Sequence, residues 1–259
     1  MTTSIPAELL ERIWLYINFD CGLRCSYCVA ALAPGGTRPR LALPIFRRLV
    51  DQAVSLGFRQ VALTGGEPFL HPDIVAMLAY SAARADTVVL TSAVDVTAGA
   101  LDQLGPLERN RLTVQVSLDS ADPCANDRLR GRGAWERAMR GLKLLLGGGF
   151  TVAVRATLDG QGEEALDGLV RLLGSLGVPA DRVYGAPLAR VGRATHGLEL
   201  SPAGVWPEPT LIGDGLYWHP LLIAPSDAIT PQIEPLANAL EILAERVERV
   251  RPTRPQGVR

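Results

Sequence analysis

The hydrophobic positions along this chain follow two spacings. Short continuous apolar runs, typical of buried strands, are separated by longer stretches in which apolar residues recur every three or four positions, as in amphipathic helices. The predicted strands are residues 13–18, 60–64, 87–90, 112–118, 152–158 and 182–187. The predicted helices between and after them are residues 43–56, 72–84, 97–104, 134–146 and 163–176.

Strands that alternate with helices favour a parallel sheet with right-handed crossover connections. Six strands before about residue 190 are too few for a closed eight-stranded barrel but enough for an open one. We therefore predict an α/β fold in which residues 1–195 form a partial (β/α)6 TIM-like barrel. A short C-terminal extension, residues 196–259, follows it.

The extension lacks this alternation. Residues 201–231 hold six prolines and show no clear period, whereas residues 236–250 carry an apolar stripe at helical spacing. We expect this final helix to pack on the barrel and the proline-rich segment to cover the substrate side. The extension is therefore the predicted specificity element.

Composition narrows the classes of function. The chain has 26 basic and 27 acidic residues, and its net charge of −1 gives no electrostatic basis for a nucleic-acid or anionic-membrane partner. No apolar run approaches the roughly 20 residues that span a bilayer, and residues 1–12 lack an apolar signal core. We expect a globular, cytoplasmic protein.

Three of the four cysteines lie within eight residues, in the order Cys21-x-x-x-Cys25-x-x-Cys28. Thiolates at such spacing bind zinc or an iron–sulfur cluster. A four-iron cluster held by three thiolates leaves one iron open to chelate another molecule. A structural zinc site needs a fourth ligand, and no histidine has ligand-like spacing to these cysteines, so zinc is the weaker alternative.

A second motif, Thr64-Gly65-Gly66-Glu67-Pro68, ends the second predicted strand. Cysteines directly after a first strand, with the aromatic Tyr27 before the last of them, followed by this motif, resemble the radical S-adenosylmethionine (radical SAM) superfamily. The resemblance covers about residues 10–195. The segment after strand six, with Gly192-Arg193, resembles the branch of molybdopterin-type and peptide-maturing enzymes. That branch usually carries further cysteines for an auxiliary cluster, and this sequence has none after Cys124.

The resemblance assigns roles to individual residues. It implies a [4Fe–4S] cluster at Cys21, Cys25 and Cys28, with the amino and carboxylate groups of S-adenosylmethionine (SAM) on the fourth iron. Tyr27 would lie beside the adenine. The residues implied around the methionine amino group are Gly65, Gly66 and Glu67.

Polar residues at later strand ends fit the same site, because the carboxyl ends of parallel strands meet at one edge. Thr91 and Ser92 end the third strand. Ser117 and Asp119 end the fourth and are expected near the ribose hydroxyls. Arg155 on the fifth is expected to neutralise the SAM carboxylate. The alternatives are loop capping for Ser117 and Asp119 and an exposed strand position for Arg155.

Arginines 128, 130, 190 and 193 fall near the predicted mouth of the site, where they would hold a substrate carboxylate or phosphate. His219 in the proline-rich segment is a further candidate. Surface arginines in an arginine-rich chain are the alternative interpretation.

The implied reaction is reductive cleavage of SAM, with an electron from a flavodoxin-like or ferredoxin-like donor. The resulting 5′-deoxyadenosyl radical would abstract hydrogen from a small metabolite, cofactor precursor or peptide. One alternative is an activase that installs a glycyl radical on a partner protein. Another, from a different class, is a non-catalytic iron–sulfur or zinc protein that senses redox state or binds a partner.

Overall fold

Six consecutive parallel strands form one side of a continuous nine-stranded sheet in the computed structural model, which describes residues 5–32, 40–104, 109–160 and 162–252. They lie in the order β6-β5-β4-β3-β2-β1. Their bounds are β1 Arg12–Asn18, β2 Gln60–Gly65, β3 Asp86–Thr91, β4 Leu112–Ser117, β5 Thr151–Leu158 and β6 Val183–Pro187. The predicted α/β fold with six βα-type strands is confirmed.

Helices connect and cover these strands. Their bounds are α1 Leu43–Leu56, α2 Ile74–Ala82, α3 Ala98–Gln103, α4 Pro123–Arg130, α5 Ala134–Gly147, α6 Gly162–Gly174 and α7 Leu236–Val250. The predicted helix starting at residue 97 begins one residue later, because Thr97 is its N-cap and accepts a hydrogen bond from Ala100. No helix in these described ranges is long and apolar enough to cross a lipid bilayer.

Alternate residues of each strand face opposite sides of the sheet, as the pleat requires. On β1, Leu15 and Ile17 pack into the main core with the helices. Trp14 packs instead with Ala62 and Val88 in a separate cluster on the inner face. The inner face therefore carries its own small set of side chains, and these border the cavity described below.

Helix α4 was not predicted from the sequence. It is short and mostly polar, so it has no periodic apolar signal, and its start depends on Asp122, whose carboxylate accepts hydrogen bonds from the backbone of Cys124 and Ala125. Pro123 occupies its first turn, where proline is tolerated. The helix returns the chain from β4 to the cysteine loop.

The proline-rich segment contains three short strands that the sequence did not reveal. They are β7 Thr210–Ile212, β8 Gly215–Tyr217 and β9 Ala228–Thr230. β7 pairs in parallel with β1, β8 pairs antiparallel with β7, and β9 with β8. The extension therefore continues the sheet beyond β1. Three-residue strands are too short to show an alternating pattern, which is why the segment looked irregular.

The extension also shares the main core. Leu211, Leu216 and Trp218 belong to the same buried cluster as Leu240 and Leu243 of α7. α7 packs against α1 and β9. At its start, the backbone N–H of Leu236 donates to the side chain of Gln52 on α1 at 2.7 Å.

Candidate functional site

The loop after β1 carries the three cysteines, and two other segments hold it in place. The backbone N–H of Ser26 donates to the carbonyl of Leu129 at 2.8 Å, and that of Arg193 donates to the carbonyl of Cys28 at 3.2 Å. Gly192 has a φ of +63°, and a Cβ there would lie 2.2 Å from the Cys28 oxygen. The chain after β6 can approach the loop this closely only with glycine.

Cys21, Cys25 and Cys28 line one cavity of about 300 Å³. Burial raises the pKa of the Cys21 thiol to about 11, and the neighbouring thiols Cys25 and Cys28 add to the rise. Negative charge on Cys25 or Cys28 therefore disfavours the thiolate of Cys21, and a bound metal centre would relieve this by compensating the thiolates. Three thiols on one cavity wall are the type of donor that an iron–sulfur cluster takes, although within the described residues no group of three or more His, Cys, Asp or Glu side chains is already arranged to hold a metal ion.

Two of the three histidines have close partners elsewhere and the third, His219, lies beside Glu208, which weakens the zinc alternative. His71 Nε2 is 3.2 Å from the Leu41 carbonyl, and His196 Nε2 is 2.6 Å from an oxygen of Asp159. His219 lies near Glu208, with 3.9 Å between their nearest polar atoms. A Cys₃His site would need one of these rings to leave its present partners.

Gly65 and Gly66 also line the cavity. Gly65 has a φ of +152°, and a Cβ on it would lie 2.3 Å from the Asn18 carbonyl oxygen. A Cβ on Gly66 would lie 2.3 Å from the Asp20 carbonyl oxygen. The glycines therefore let the end of β2 touch the start of the cysteine loop, a reason the sequence analysis did not foresee.

Glu67 is fully buried behind the cavity wall. Its carboxylate accepts hydrogen bonds from the hydroxyls of Thr91 and Ser92 at 2.6 Å each, from the Ser92 backbone at 2.8 Å and from the Phe69 backbone at 3.1 Å. Burial raises the pKa of Glu67, and these bonds oppose the rise. Glu67 thus fastens the end of β2 to Thr91 and Ser92, which line the cavity.

Asp119 is likewise buried and bound by the protein. Arg130 donates to both of its oxygens, at 2.7 and 3.2 Å. The Tyr27 hydroxyl donates at 2.5 Å and the Thr157 backbone at 2.9 Å. Arg130 lines the cavity, as expected, but its side chain is only 8% exposed and is held in this ion pair. The pair connects β4, β5, α4 and the cysteine loop.

Ser117 and Arg155 are neighbours across β4 and β5, and both line the cavity with Thr157. Tyr27 lines it as well, and burial raises the pKa of its hydroxyl. The structure therefore brings Ser117, Arg155 and Tyr27 to the same cavity as the cysteines. Asp119 and Glu67 hold lining residues in place through hydrogen bonds from the side chains of Tyr27 and Thr91.

At the other end of the cavity, His219 is the one lining residue that was a candidate from the sequence. Arg12, Trp14 and Gln115 line it from the inner face of the sheet, and Glu208 and His219 line it from the extension. The alternation Arg12, Trp14, Tyr16 along β1 was a usable signal, because these residues share one face. Glu208 stands among prolines and had no such signal.

Comparison with known proteins gives consistent matches. The family profile described as the Radical SAM superfamily matches residues 15–173. An AdoMet-dependent heme synthase of Methanosarcina barkeri is 29% identical over 189 residues, which are 72% of this chain and 53% of the relative. A PqqA peptide cyclase of Ruegeria pomeroyi is 29% identical over 68% of this chain and 46% of the relative.

Among solved structures, Streptococcus suis SuiB bound to its precursor peptide SuiA superimposes with a TM-score of 0.64 at 23% identity. The match covers 77% of this chain and 44% of SuiB. Another structure of SuiB contains S-adenosylmethionine. The chain spans about half the length of the curated relatives it matches.

Proposed function

Because this chain belongs to the radical SAM superfamily, we propose that Cys21, Cys25 and Cys28 hold a [4Fe–4S] cluster and that the adjoining cavity holds SAM. The resemblance read from the two sequence motifs is confirmed, and the chain is an enzyme of this superfamily. The non-catalytic alternative is therefore set aside. When bound, the cluster and SAM supply an electron and a 5′-deoxyadenosyl radical, which abstracts hydrogen from the substrate.

The observation that carries the proposal is the common cavity shared by the cysteines and the predicted SAM contacts. Arg155 offers a guanidinium that pairs with a carboxylate, and Ser117 beside it offers a hydroxyl donor. Gly65 and Gly66 present backbone to the same space. Thr91 and Ser92, held by Glu67, form the adjoining wall.

Asp119 and Glu67 take positioning roles in this proposal rather than contacts with SAM through their carboxylates. Four hydrogen bonds from the protein already reach the Asp119 carboxylate, among them that of Tyr27. Asp119 thereby fixes the Tyr27 ring, which we place beside the adenine. Four hydrogen bonds hold Glu67 in the same way.

The electron donor we propose is a small acidic redox protein of the flavodoxin or ferredoxin type. Exposed arginines surround the cysteine loop: Arg24 lies within it, Arg128 flanks Leu129, and Arg193 follows Gly192. Positive charge around the entry point favours an acidic partner, and salt would screen the attraction.

For the substrate we propose a peptide or a small metabolite, including a cofactor precursor. The names of a relative, PqqA peptide cyclase, and of a fold neighbour bound to its precursor peptide support the peptide class. The tail that lines the far end of the cavity is the proposed specificity element.

The decisive experiment is anaerobic reconstitution of the full chain with iron and sulfide, followed by reduction with dithionite in the presence of SAM. We expect 5′-deoxyadenosine from the wild-type protein and from Cys124→Ala, whose cysteine is exposed on α4. Cys25→Ala should fall to background because one cluster ligand is lost. Reaction driven by reduced flavodoxin should slow as salt rises, whereas the dithionite reaction should not.

Equal product from the wild-type protein and Cys25→Ala would overturn the proposal. Cleavage that leaves substrates untouched, together with a glycyl radical on a partner protein, would instead support the activase alternative.

A further inference from the structure

Two side chains of the extension meet across the β7–β8 hairpin at the end of the cavity opposite the cysteines. Thr210 pairs with Tyr217, which places Glu208 two residues before that pair and His219 two residues after it. The backbone N–H of Glu208 donates to the Trp218 carbonyl at 2.9 Å, so the ladder continues to this point. Both side chains line the cavity.

This end lies far from the cluster loop. Arg12 begins β1, and the cysteines follow the end of β1. At about 3.3 Å per residue, the seven-residue strand separates the two ends by about 20 Å. Groups bound beside Glu208 are therefore held at a distance from the cysteines, and the cavity between them is continuous.

Among the residues that the structure describes, Glu208 forms hydrogen bonds through only one of its carboxylate oxygens. Oε2 accepts a hydrogen bond from Trp14 Nε1 at 2.5 Å and lies 3.7 Å from Arg12 Nη1. Oε1 is 3.9 Å from His219 Nε2, which is too long for a hydrogen bond. Oε1 is thus an acceptor available to a ligand.

The hydrogen bonding of His219 fixes which nitrogen carries the proton. Its Nδ1 lies 3.1 Å from the backbone N–H of Leu221 and accepts from it. The neutral ring therefore carries its hydrogen on Nε2, which is a donor. Burial lowers the pKa of His219, so the neutral form prevails near pH 7.

The site thus presents one acceptor, Glu208 Oε1, and one donor, His219 Nε2–H, 3.9 Å apart. An atom about 2.8 Å from each makes two hydrogen bonds that meet near a right angle. A hydroxyl fits, because one oxygen donates to Glu208 and accepts from His219. An ammonium group has no acceptor for His219, and an ether or a carboxylate has no proton for Glu208.

We propose that Glu208 and His219 form a substrate subsite that binds an aliphatic hydroxyl group. The inference rests on the proposed function, because it names the chemistry of the substrate end of that same cavity. The guanidinium carbon of Arg12 lies 5.4 Å from the ring centroid of Trp14, the residue that donates a hydrogen bond to Glu208. Arg155 lines the same cavity beside Ser117, and its positive charge lies near enough to His219 to lower the pKa of that ring further.

The test measures binding to the cluster-loaded full chain with SAM present and without reductant. The probes are N-acetylserinamide, its O-methyl ether and N-acetylalaninamide, which differ only in the hydroxyl. The chain has three histidines, so nitrogen-15 labelling of histidine gives a simple spectrum. The signals that are lost in His219→Gln are those of the His219 ring. We expect the serine probe to shift the His219 Nε2 resonance in a saturable manner. Binding by the ether and the alanine probe should be at least about tenfold weaker, as expected for loss of one hydrogen bond to a charged group.

Variants separate a specific role from a structural one. Glu208→Gln should weaken the serine probe about tenfold, because the charged acceptor is lost. His219→Gln keeps an N–H donor and should retain binding within about threefold, whereas His219→Leu should lose it. Binding by these two variants is followed by ligand-observed NMR. Glu199→Gln, an exposed residue of the same extension, is the matched control, and circular dichroism checks that each variant folds.

Equal binding of serine and ether probes, or no shift of His219, would overturn the subsite. Serine binding by a wild-type protein that makes no 5′-deoxyadenosine would leave the subsite intact and overturn the proposed function. Cleavage of SAM by a protein that binds the three probes equally would leave the proposed function intact and overturn the subsite.

Discussion

The two ends of the cavity are built on opposite principles. At the cysteine end, the buried carboxylates of Glu67 and Asp119 each receive four hydrogen bonds from the protein. At the extension end, Glu208 Oε1 and His219 Nε2 stand 3.9 Å apart with a gap between them. A fully satisfied network holds its atoms in one arrangement. Open donors and acceptors are instead available to whatever enters.

This difference matches the division of roles that we propose. In that proposal the cysteine end holds the cluster and SAM, which are the same for every substrate, and the extension end binds the substrate. Rigid networks at the first end and unsatisfied groups at the second would then allow one core to generate the radical while the hairpin determines the substrate.

The largest effect should follow from breaking the network at the cysteine end. Asp119→Asn leaves the buried Arg130 guanidinium without its counter-charge, and we expect a loss of about 3 to 5 kcal/mol in the free energy of unfolding. Urea denaturation measures it. Arg140→Gln, at an exposed pair with Glu136, should cost no more than about 0.5 kcal/mol. Equal losses in the free energy of unfolding for Asp119→Asn and Arg140→Gln would contradict the stabilising role of the buried Asp119 network.

A smaller effect should come from filling the contact between β2 and the cysteine loop. In Gly65→Ala the new Cβ would lie 2.3 Å from the Asn18 oxygen at a positive φ, so we expect a loss of about 1 to 3 kcal/mol and weaker SAM binding. Gly99→Ala on α3 has nothing within 4 Å and should gain about 0.5 kcal/mol. Thermal denaturation and SAM titration measure both. Unchanged SAM affinity in Gly65→Ala would argue that the glycine serves folding alone.

The smallest predicted effect is a pH dependence of the folding stability that comes from His219, at the extension end of the cavity. Burial lowers the pKa of His219 below its ordinary 6.5, so the folded protein binds fewer protons there than the unfolded chain. Stability should therefore fall as pH drops below 6.5, with a slope of at most about 1.4 kcal/mol per pH unit for this group. His219→Gln should reduce the slope, and the pKa of buried His71, also lowered, accounts for the remainder. Urea denaturation at several pH values tests this, and an unchanged slope would contradict it.

The sequence predicted the cysteine end better than the extension end, for physical reasons. Each of the six strands β1 to β6 contains an apolar run long enough to be recognised from the sequence, so all six were predicted. Cys21, Cys25 and Cys28 are close in sequence, so their spacing alone predicted a metal site. Gly65 and Gly66 follow a strand directly, and parallel strand ends converge on one edge.

Features that depend on distant partners were not predictable. Arg130 is 11 residues from Asp119, and only the turn of the polar helix α4 brings them together. Glu208 is 194 residues from Trp14, and its place depends on a three-residue strand pairing with β1. Three residues cannot display the alternation by which a strand is recognised. Glu208 was therefore not predictable from the sequence, and His219 was a candidate without a known partner.

The pairing of β7 with β1 has a consequence for the handling of this protein. β1 has β2 on one side and β7 on the other, so its backbone groups face no solvent edge there. A chain cut before the extension would expose that strand, whose residues are almost entirely buried. Exposed apolar strand edges recruit other strands and aggregate. We therefore expect the hairpin to protect this edge of β1 from aggregation, and we expect exchange for another hairpin to be a safer route to new specificity than removal.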